Sequence, residues 1–361
     1  MVKKLILILI STSSFLVFAQ TKFLKLEEKF TLGEEDYYFT YPERVITDKN
    51  DKIYIIDRNA TEIIVFKSNG EFDRKIGRSG KGPGEYVEIT NFFFQENLLT
   101  VFDRSMQRFI QYSNDKKFST FSTPTKKVMN PLLIEEFNDK TIFIYDPTNV
   151  EATDKIFHLV SSDFTNILYS FGDPSLIFDY STQFARSLKG IESLDLCIIS
   201  KNKIFITPKF YNGEIIIAER QKNDWTYKRI KGSKPNVRAY VEHPLADLNS
   251  LRKENIPFVI LSGRNNKFLV SVNCVSSGIF KYDDKYIFHF FSVFDKKKDT
   301  NIYLNIFDYD GNLINTEKIF NRKTLYDFDV MAKGSGGFFI IRDIVNEIPV
   351  LKKVIIYLTG Y

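Results

Sequence analysis

Asp57-Arg58-Asn59-Ala60-Thr61-Glu62-Ile63-Ile64-Val65-Phe66 recurs 46 residues later as Asp103-Arg104-Ser105-Met106-Gln107-Arg108-Phe109-Ile110-Gln111-Tyr112. The shared form is Asp-Arg, four free positions, and then a short strand of apolar, Ile, any residue and aromatic. Both polar positions match, and the apolar ones alternate as one strand of a pleated sheet requires. Internal repeats with a period of about 40–50 residues are the mark of propeller blades, each a four-stranded sheet.

Around the repeat the chain reads as strand A, tight turn, strand B, loop, strand C, turn, strand D. In the first unit strand A ends at Asp48, Asn50-Asp51 turns, and strand B is Lys52–Ile56. Strand C is Ile63–Lys67, Asn69-Gly70 forms a hairpin turn, and strand D is Glu71–Ile76. The A–B turn can then be followed at Glu96-Asn97, Asn138-Asp139, Lys201-Asn202, Asp283-Asp284 and Gly334–Gly337. Each turn precedes an apolar β run: Ile53–Ile56, Leu98–Phe102, Thr141–Tyr145, Lys203–Thr207, Tyr286–Phe291 and Phe338–Ile341. That makes six units. The spacing between turns stretches from 42 to about 82 residues in the middle of the chain, so units three to five carry insertions.

The last unit supplies strands A, B and C at Asp327–Ala332, Phe338–Arg342 and Val350–Leu358, with no strand D after them. Phe23–Leu32, followed by Gly33, reads as an unassigned strand D, and Phe30–Gly33 corresponds to Arg74–Gly77. An N-terminal strand completing the last blade closes the ring like a clasp and leaves fewer open sheet edges. The fold expected is all-β: a six-bladed β-propeller of four-stranded antiparallel blades, closed by that strand. Residues 20–361 form one propeller domain, with an insertion at about 232–278. Within it, Pro235–Glu254 has room for a short helix, and Phe258–Leu261 with Phe268–Asn273 reads as an extra hairpin around Arg264-Asn265-Asn266.

The run D-R-x4-I-I-V-F-K-S-N-G-E-F, followed by I-G-R-S-G-K-G-P-G-E-Y, resembles the NHL-repeat and related six-bladed propellers of exported bacterial proteins. The resemblance covers Tyr41–Tyr112 in its motifs and continues from Asn130 in turn spacing alone. Units three to six lack the Asp-Arg signature; Asp146-Pro147 and Arg342-Asp343 are partial echoes.

Composition agrees with strands. The chain holds 35 Phe and 19 Tyr, residue types that suit half-buried pleated surfaces. Met1–Lys4 is a positive segment, Leu5–Ile10 and Phe15–Phe18 are apolar, and Val17-Phe18-Ala19 suits signal-peptide cleavage. Residues 1–19 are thus expected to be removed, which places the protein in the periplasm or outside the cell. Loss of Lys3 and Lys4 lowers the net charge from +5 to +3. No basic stripe suggests nucleic acid, and no later stretch has the roughly 20 apolar residues of a membrane span. Cys197 and Cys274 lie in apolar runs, where they either pair in an oxidising compartment or serve as small buried hydrophobes.

The search for catalytic chemistry finds little. Gly77–Gly84 resembles a phosphate loop, but Lys75 stands where the first Gly belongs and no Ser or Thr follows Lys81. The segment reads instead as a D-to-A crossover between blades. His158, His243 and His289 form no metal-ligand spacing, and His289 is expected inside a blade or between blades. Asp283-Asp284 and Asp308/Asp310 fit turn chemistry, and no Gly-x-Ser-x-Gly elbow occurs.

Strand direction puts the B–C loops and D–A crossovers at one end of the ring. The candidate binding residues at that rim are Asp57, Arg58, Arg78, Lys81, Glu85, Asp103, Arg104 and Arg108. Arginine suits bidentate recognition of carboxylate or phosphate. The function expected is a monomeric binding module that presents this rim to a small ligand or envelope protein, without a cofactor. The alternative is a lactonase- or esterase-like hydrolase, or a lyase, with a metal such as calcium in the channel.

Overall fold

The computed structural model describes residues 24–359 except 34–36, 59–60, 114–117, 123–129, 149–153, 178–193, 223, 234–237, 255–257, 263–266, 295–298, 323–328 and 336. The signal segment 1–19, the cleavage point at Ala19-Gln20 and the hairpin tip Arg264-Asn265-Asn266 lie outside the described residues.

Six four-stranded antiparallel sheets follow one another along the chain. β1 (Leu24–Leu32) stands apart. Blade 1 is β2 (Pro42–Thr47), β3 (Ile53–Asp57), β4 (Ile63–Phe66) and β5 (Phe72–Ile76). Blade 2 is β6 (Ile89–Gln95), β7 (Leu98–Asp103), β8 (Arg108–Tyr112) and β9 (Phe118–Ser122). Blade 3 is β10 (Leu133–Asn138), β11 (Thr141–Tyr145), β12 (Phe157–Ser161) and β13 (Ile167–Phe171). Blade 4 is β14 (Leu194–Ser200), β15 (Lys203–Pro208), β16 (Glu214–Gln221) and β17 (Asp224–Lys231). A three-stranded sheet follows, formed by β18 (Tyr240–His243), β19 (Phe258–Ser262) and β20 (Lys267–Val272), with the short helix α1 (Leu248–Lys253). Blade 5 is β21 (Cys274–Lys281), β22 (Tyr286–Phe294), β23 (Thr300–Asp308) and β24 (Leu313–Arg322). Blade 6 is β25 (Asp329–Lys333), β26 (Phe338–Val345) and β27 (Ile348–Leu358), and β1 is its fourth strand.

β1 runs antiparallel to β27 from Leu24↔Leu358 to Leu32↔Leu351, with one register shift between Glu28 and Phe30. The clasp inferred from the sequence is therefore the ring's closure. The first strands of the blades touch in the cyclic order β2, β6, β10, β14, β21, β25 and back to β2. Because β14 touches β21 directly, the three-stranded sheet is no seventh blade. It leaves the ring at the crossover from blade 4 to blade 5, anchored where Asn273 and Cys274 donate backbone hydrogen bonds to Ala239.

Turns form where the side chains permit them. Glu96 and Asn97 both have positive φ, 48° and 69°, as a two-residue β-hairpin turn requires. Gly70, at φ 94°, follows Asn69, whose side chain accepts a hydrogen bond from the Glu71 amide. Blade 6 joins β26 to β27 through Asn346-Glu347, again both at positive φ, so its B–C connection is tight rather than an extended loop.

The described core is divided into six apolar seams, each between neighbouring blades. Phe171 stacks on Trp225 across blades 3 and 4, with ring centroids 4.3 Å apart. Tyr54 meets the edge of Phe94 across blades 1 and 2 at 5.0 Å. Alternate residues of each strand serve the seams on its two sides, which is why the B and C strands read as almost continuously apolar.

Candidate functional site

The Asp-Arg repeat occupies the outer rim, where the B–C loop meets the crossover of its own blade. Asp57 pairs in register with Pro42, and Asp103 with Ile89. The Asp57 carboxylate accepts hydrogen bonds from the Thr40 and Tyr41 amides, at 2.8 and 2.6 Å. Asp103 does the same for Val87 and Glu88, both at 3.1 Å. Asp146, the partial echo in blade 3, accepts from the Asn130 amide at 3.0 Å. These carboxylates are buried, and each satisfies crossover amides that would otherwise be unpaired.

The arginines have partners as well. Arg58 donates to Glu43 at 2.8 Å and lies 4.1 Å from the Tyr41 ring. Arg104 pairs with Glu88. Arg108 approaches Asp103 at 3.5 Å and donates to the Glu85 carbonyl at 2.8 Å. Arg78 binds Glu85, whose other oxygen accepts the Gly82 amide at 2.8 Å. That backbone bond, followed by Arg78, holds the Glu85 carboxyl below its usual range. Lys81 is exposed.

The Gly-rich crossover is compact. Gly77, at φ 74°, sits against the Tyr86 ring, 2.3 Å from where a Cβ would stand. Gly84, at φ 71°, packs on Phe118 in the same way. Both positions require glycine because positive φ and close aromatic approach coincide.

Inside this rim the channel holds a second polar group that sequence reading missed. A cavity of about 550 Å³ is lined by the first strands of the blades. Arg44 is the third residue of β2, Glu135 the third of β10, Asp195 the second of β14 and Asp329 the first of β25. Strand A starts at the crossover end, so all four stand in the half of the channel nearest the rim. Lys209, just after β15, lies 3.1 Å from Asp329 and 4.0 Å from Asp195. Arg342 of β26 binds Asp329 at 2.5 Å and donates to the Pro42 carbonyl at 2.8 Å. Arg44 reaches from blade 1 to the Leu132 carbonyl before blade 3, at 2.7 Å.

These contacts divide the mouth into two struts. Arg44 spans past blade 2, and Lys209 spans past blade 5 to blade 6. The blades passed over present shorter groups. In blade 2 Asn91 donates to the Pro131 carbonyl at 3.0 Å, and blade 5 offers Ser277 and Gly278 to the cavity.

Electrostatics follow from the enclosure. Glu135 opens onto the channel but is ringed by protein, which pushes its carboxyl up to about 7; Arg44 opposes the shift and Glu136 adds to it. Enclosure alone would favour a neutral Lys209 amine, but Asp195 and Asp329 outweigh it and hold the ammonium above its usual pKa. Desolvation lowers Arg44 within a range where guanidinium stays charged.

The other candidates do not converge. His158 is buried in blade 3 beside Ser170, and desolvation lowers it to about 4. His289 is buried in blade 5 between Ser276 and Asn305 and lowered to about 3, as befits the interior position expected of it. His243 lies in the three-stranded sheet next to Ser271. Asp283 and Asp308 accept the amides of their own turns. Cys197 and Cys274 are free and buried in the seam between blades 4 and 5. Among the described residues no group of three His, Cys, Asp or Glu side chains is placed to hold a metal ion.

A signal for the mouth was present in the sequence: Arg44, Glu135 and Asp195 are charges in the first half of an innermost strand. Nothing in the sequence said that three such strands, each separated by dozens of residues, share one opening.

The comparisons bear on the fold. A Bacteroides fragilis protein whose name calls it exported aligns with a TM-score of 0.53 at 13% identity, over 94% of this chain and 96% of its own. A DUF4221 family member from Bacteroides vulgatus gives 0.52 at 12%, over 93% and 99%. A gluconolactonase from Xanthomonas campestris gives 0.50 at 8%, over 92% and 90%. At these identities the likeness is one of fold alone. No curated protein matches the sequence. No described helix is long and apolar enough to cross a membrane. The pattern of the family DUF5128, described as a 6-bladed beta-propeller, matches residues 12–203, and six blades closed by β1 agree with it: the chain belongs to that six-bladed propeller family.

Proposed function

We propose that this protein is an exported binding module that takes a small polar ligand in the crossover-end mouth of its channel. One observation carries the reading. Apart from exposed Lys81, the candidate residues of the outer rim have protein partners, whereas Arg44 and Glu135 face a cavity of about 550 Å³ with no ion-pair partner among the described residues. Small-molecule sites are commonly cavities of roughly 300–1,000 Å³ with a few convergent polar groups. The rim residues Asp57, Arg58, Asp103, Arg104 and Arg108 fix the loops around this mouth, and Arg78, Lys81 and Glu85 form its periphery. The signal-like segment 1–19 and the likeness to a protein called exported support the location.

Native mass spectrometry tests both parts. Protein purified from its own cell envelope should begin at Gln20 and carry a non-covalent small-molecule mass that the Arg44→Met variant loses. An intact Met1 overturns export. A ligand-free protein, or a ligand retained equally by Arg44→Met, overturns the assignment of the mouth.

A further inference from the structure

The charges of the mouth can be matched one by one, and the unmatched ones define a ligand class. Asp329 is taken by Lys209 and Arg342. Glu43 is taken by Arg58 at 2.8 Å. Glu136 accepts the Glu96 amide at 3.0 Å, and Lys281 pairs with Asp284 at 3.1 Å. Lys333 ends β25 and so lies toward the opposite end of the channel.

Two groups, Glu135 and Arg44, are left without an ion pair at the crossover end, and a third, Asp195, shares Lys209 with Asp329. Glu135 has no hydrogen bond or ion pair among the described residues. Asp195 has its nearest cation at 4.0 Å, and its Oδ2 is buried without a hydrogen bond. Arg44 donates to a neutral carbonyl only. The two carboxylates stand on β10 and β14, innermost strands of adjacent blades that touch each other. Leu132, Leu133, Leu194 and Leu196 line the cavity beside them.

This inference rests on the binding role of the mouth and adds the chemistry. We propose that the mouth binds a compact amino-acid-like zwitterion, its ammonium group between Glu135 and Asp195, its carboxylate on Arg44 and an aliphatic portion on the leucines. An ammonium beside Glu135 and Asp195 gains charge-assisted hydrogen bonds to carboxylates that accept none among the described residues. Arginine is the side chain best shaped to take a carboxylate through two parallel bonds. A free ammonium must lose its water here, which the leucine walls offset by covering a neighbouring alkyl group.

The inference also predicts a proton signature. The charged groups acting on Glu135 are Arg44 of β2 and Glu136 of its own strand, and Cys197 of β14 lies within electrostatic reach of it. Enclosure raises the Glu135 carboxyl to about 7, so an ammonium ligand that pairs with the carboxylate should displace a proton as it binds.

The experiment is isothermal titration of mature protein with a matched set: L-leucine, isoamylamine, which lacks the carboxylate, and 4-methylpentanoate, which lacks the amine. Leucine should bind at least tenfold more tightly than either analogue. Its affinity should rise from pH 6 to pH 8, and its heat at pH 7 should vary with buffer as a proton is released. Glu135→Gln, which keeps shape and removes charge, should weaken leucine at least tenfold and abolish proton release. An unchanged melting temperature would show that this variant is folded. Equal binding of all three probes, no binding at millimolar concentration, or an unaltered Glu135→Gln variant overturns the inference. If those results come from a protein that still carries an Arg44-dependent native ligand, the mouth remains a binding site with different chemistry. If no native ligand is found either, both readings fail.

Discussion

The outer rim of blades 1 and 2 and the channel mouth lie at the same end of the ring and use the same residue types. At the rim, Asp57 and Asp103 each cap two crossover amides, and Arg58 and Arg104 each hold a glutamate. At the mouth, Arg44 and Glu135 face a cavity with no ion-pair partner among the described residues, and Asp195 shares Lys209 with Asp329. The rim pattern recurs because blades 1 and 2 tie the B–C corner to their own crossover in the same way, with Asp146 a partial counterpart in blade 3. The mouth pattern does not recur, since each blade contributes a different side chain to one shared opening. Repetition within a propeller therefore marks what holds a blade together, and its breakdown marks where the ring differs from its own parts.

Four substitutions or deletions can break or sharpen this contrast. The largest effect should come from deleting residues 24–33. That removes the partner of β27 and uncovers two seams, to which Leu24 and Leu32 contribute buried side chains. Each buried leucine lost costs on the order of 2–5 kcal/mol, so thermal unfolding should drop sharply or lose cooperativity, taking rim and mouth with it. A melting temperature equal to that of the intact protein would mean that closure does not depend on this strand.

Asp103→Ala comes next. Two crossover amides lose their acceptor, and unfolding in urea should show a loss of about 2–3 kcal/mol, while ligand retention at the mouth stays as it was. A stable Asp103→Ala protein that has lost its ligand would reverse the roles assigned to rim and mouth.

Arg104→Ala should be milder. Its pair with Glu88 is half exposed, and such pairs contribute about 0–1 kcal/mol. A larger loss in the same urea measurement would show that the arginine, and not the aspartate alone, carries the corner.

Glu135→Gln should alter stability least, and only through pH. The folded state raises this carboxyl from the ordinary 4.5 to about 7, so it holds a proton that the unfolded chain has released. Stability contributed by the neutral acid is complete below about 4.5, falls as pH rises toward 7 and is absent above that. Because Glu135 is exposed to the channel, the change should stay under about 1 kcal/mol. The variant should flatten this part of the stability–pH curve, and an unchanged curve would mean that channel water screens Glu135 completely.

Much of the architecture could be read from residue patterns because the forces involved are local. Gly70 and Asn97 are residue types that accept left-handed backbone, and the largely apolar runs Ile63–Phe66 and Phe109–Tyr112, bounded by turn residues, have the length of a strand. The missing fourth strand of the last unit and the spare strand at Leu24–Leu32 implied closure, since an open edge is costly. Even the extra hairpin was visible as two apolar runs, Phe258–Leu261 and Phe268–Asn273, within one residue of β19 and β20, though its place outside the ring depended on the contact between β14 and β21.

The sequence by itself thus determined the strands, their turns, the count of six and the clasp, all of which depend on neighbours within one blade or on the two chain ends. Only the tertiary structure decided which charges meet. Arg44, Glu135, Asp195 and Asp329 come from four blades and are brought together by ring geometry, so no spacing along the chain encodes their meeting. The same geometry decided that Asp57 and Asp103 turn toward backbone amides, because a carboxylate at a buried corner is stabilised most by the unpaired donors nearest to it.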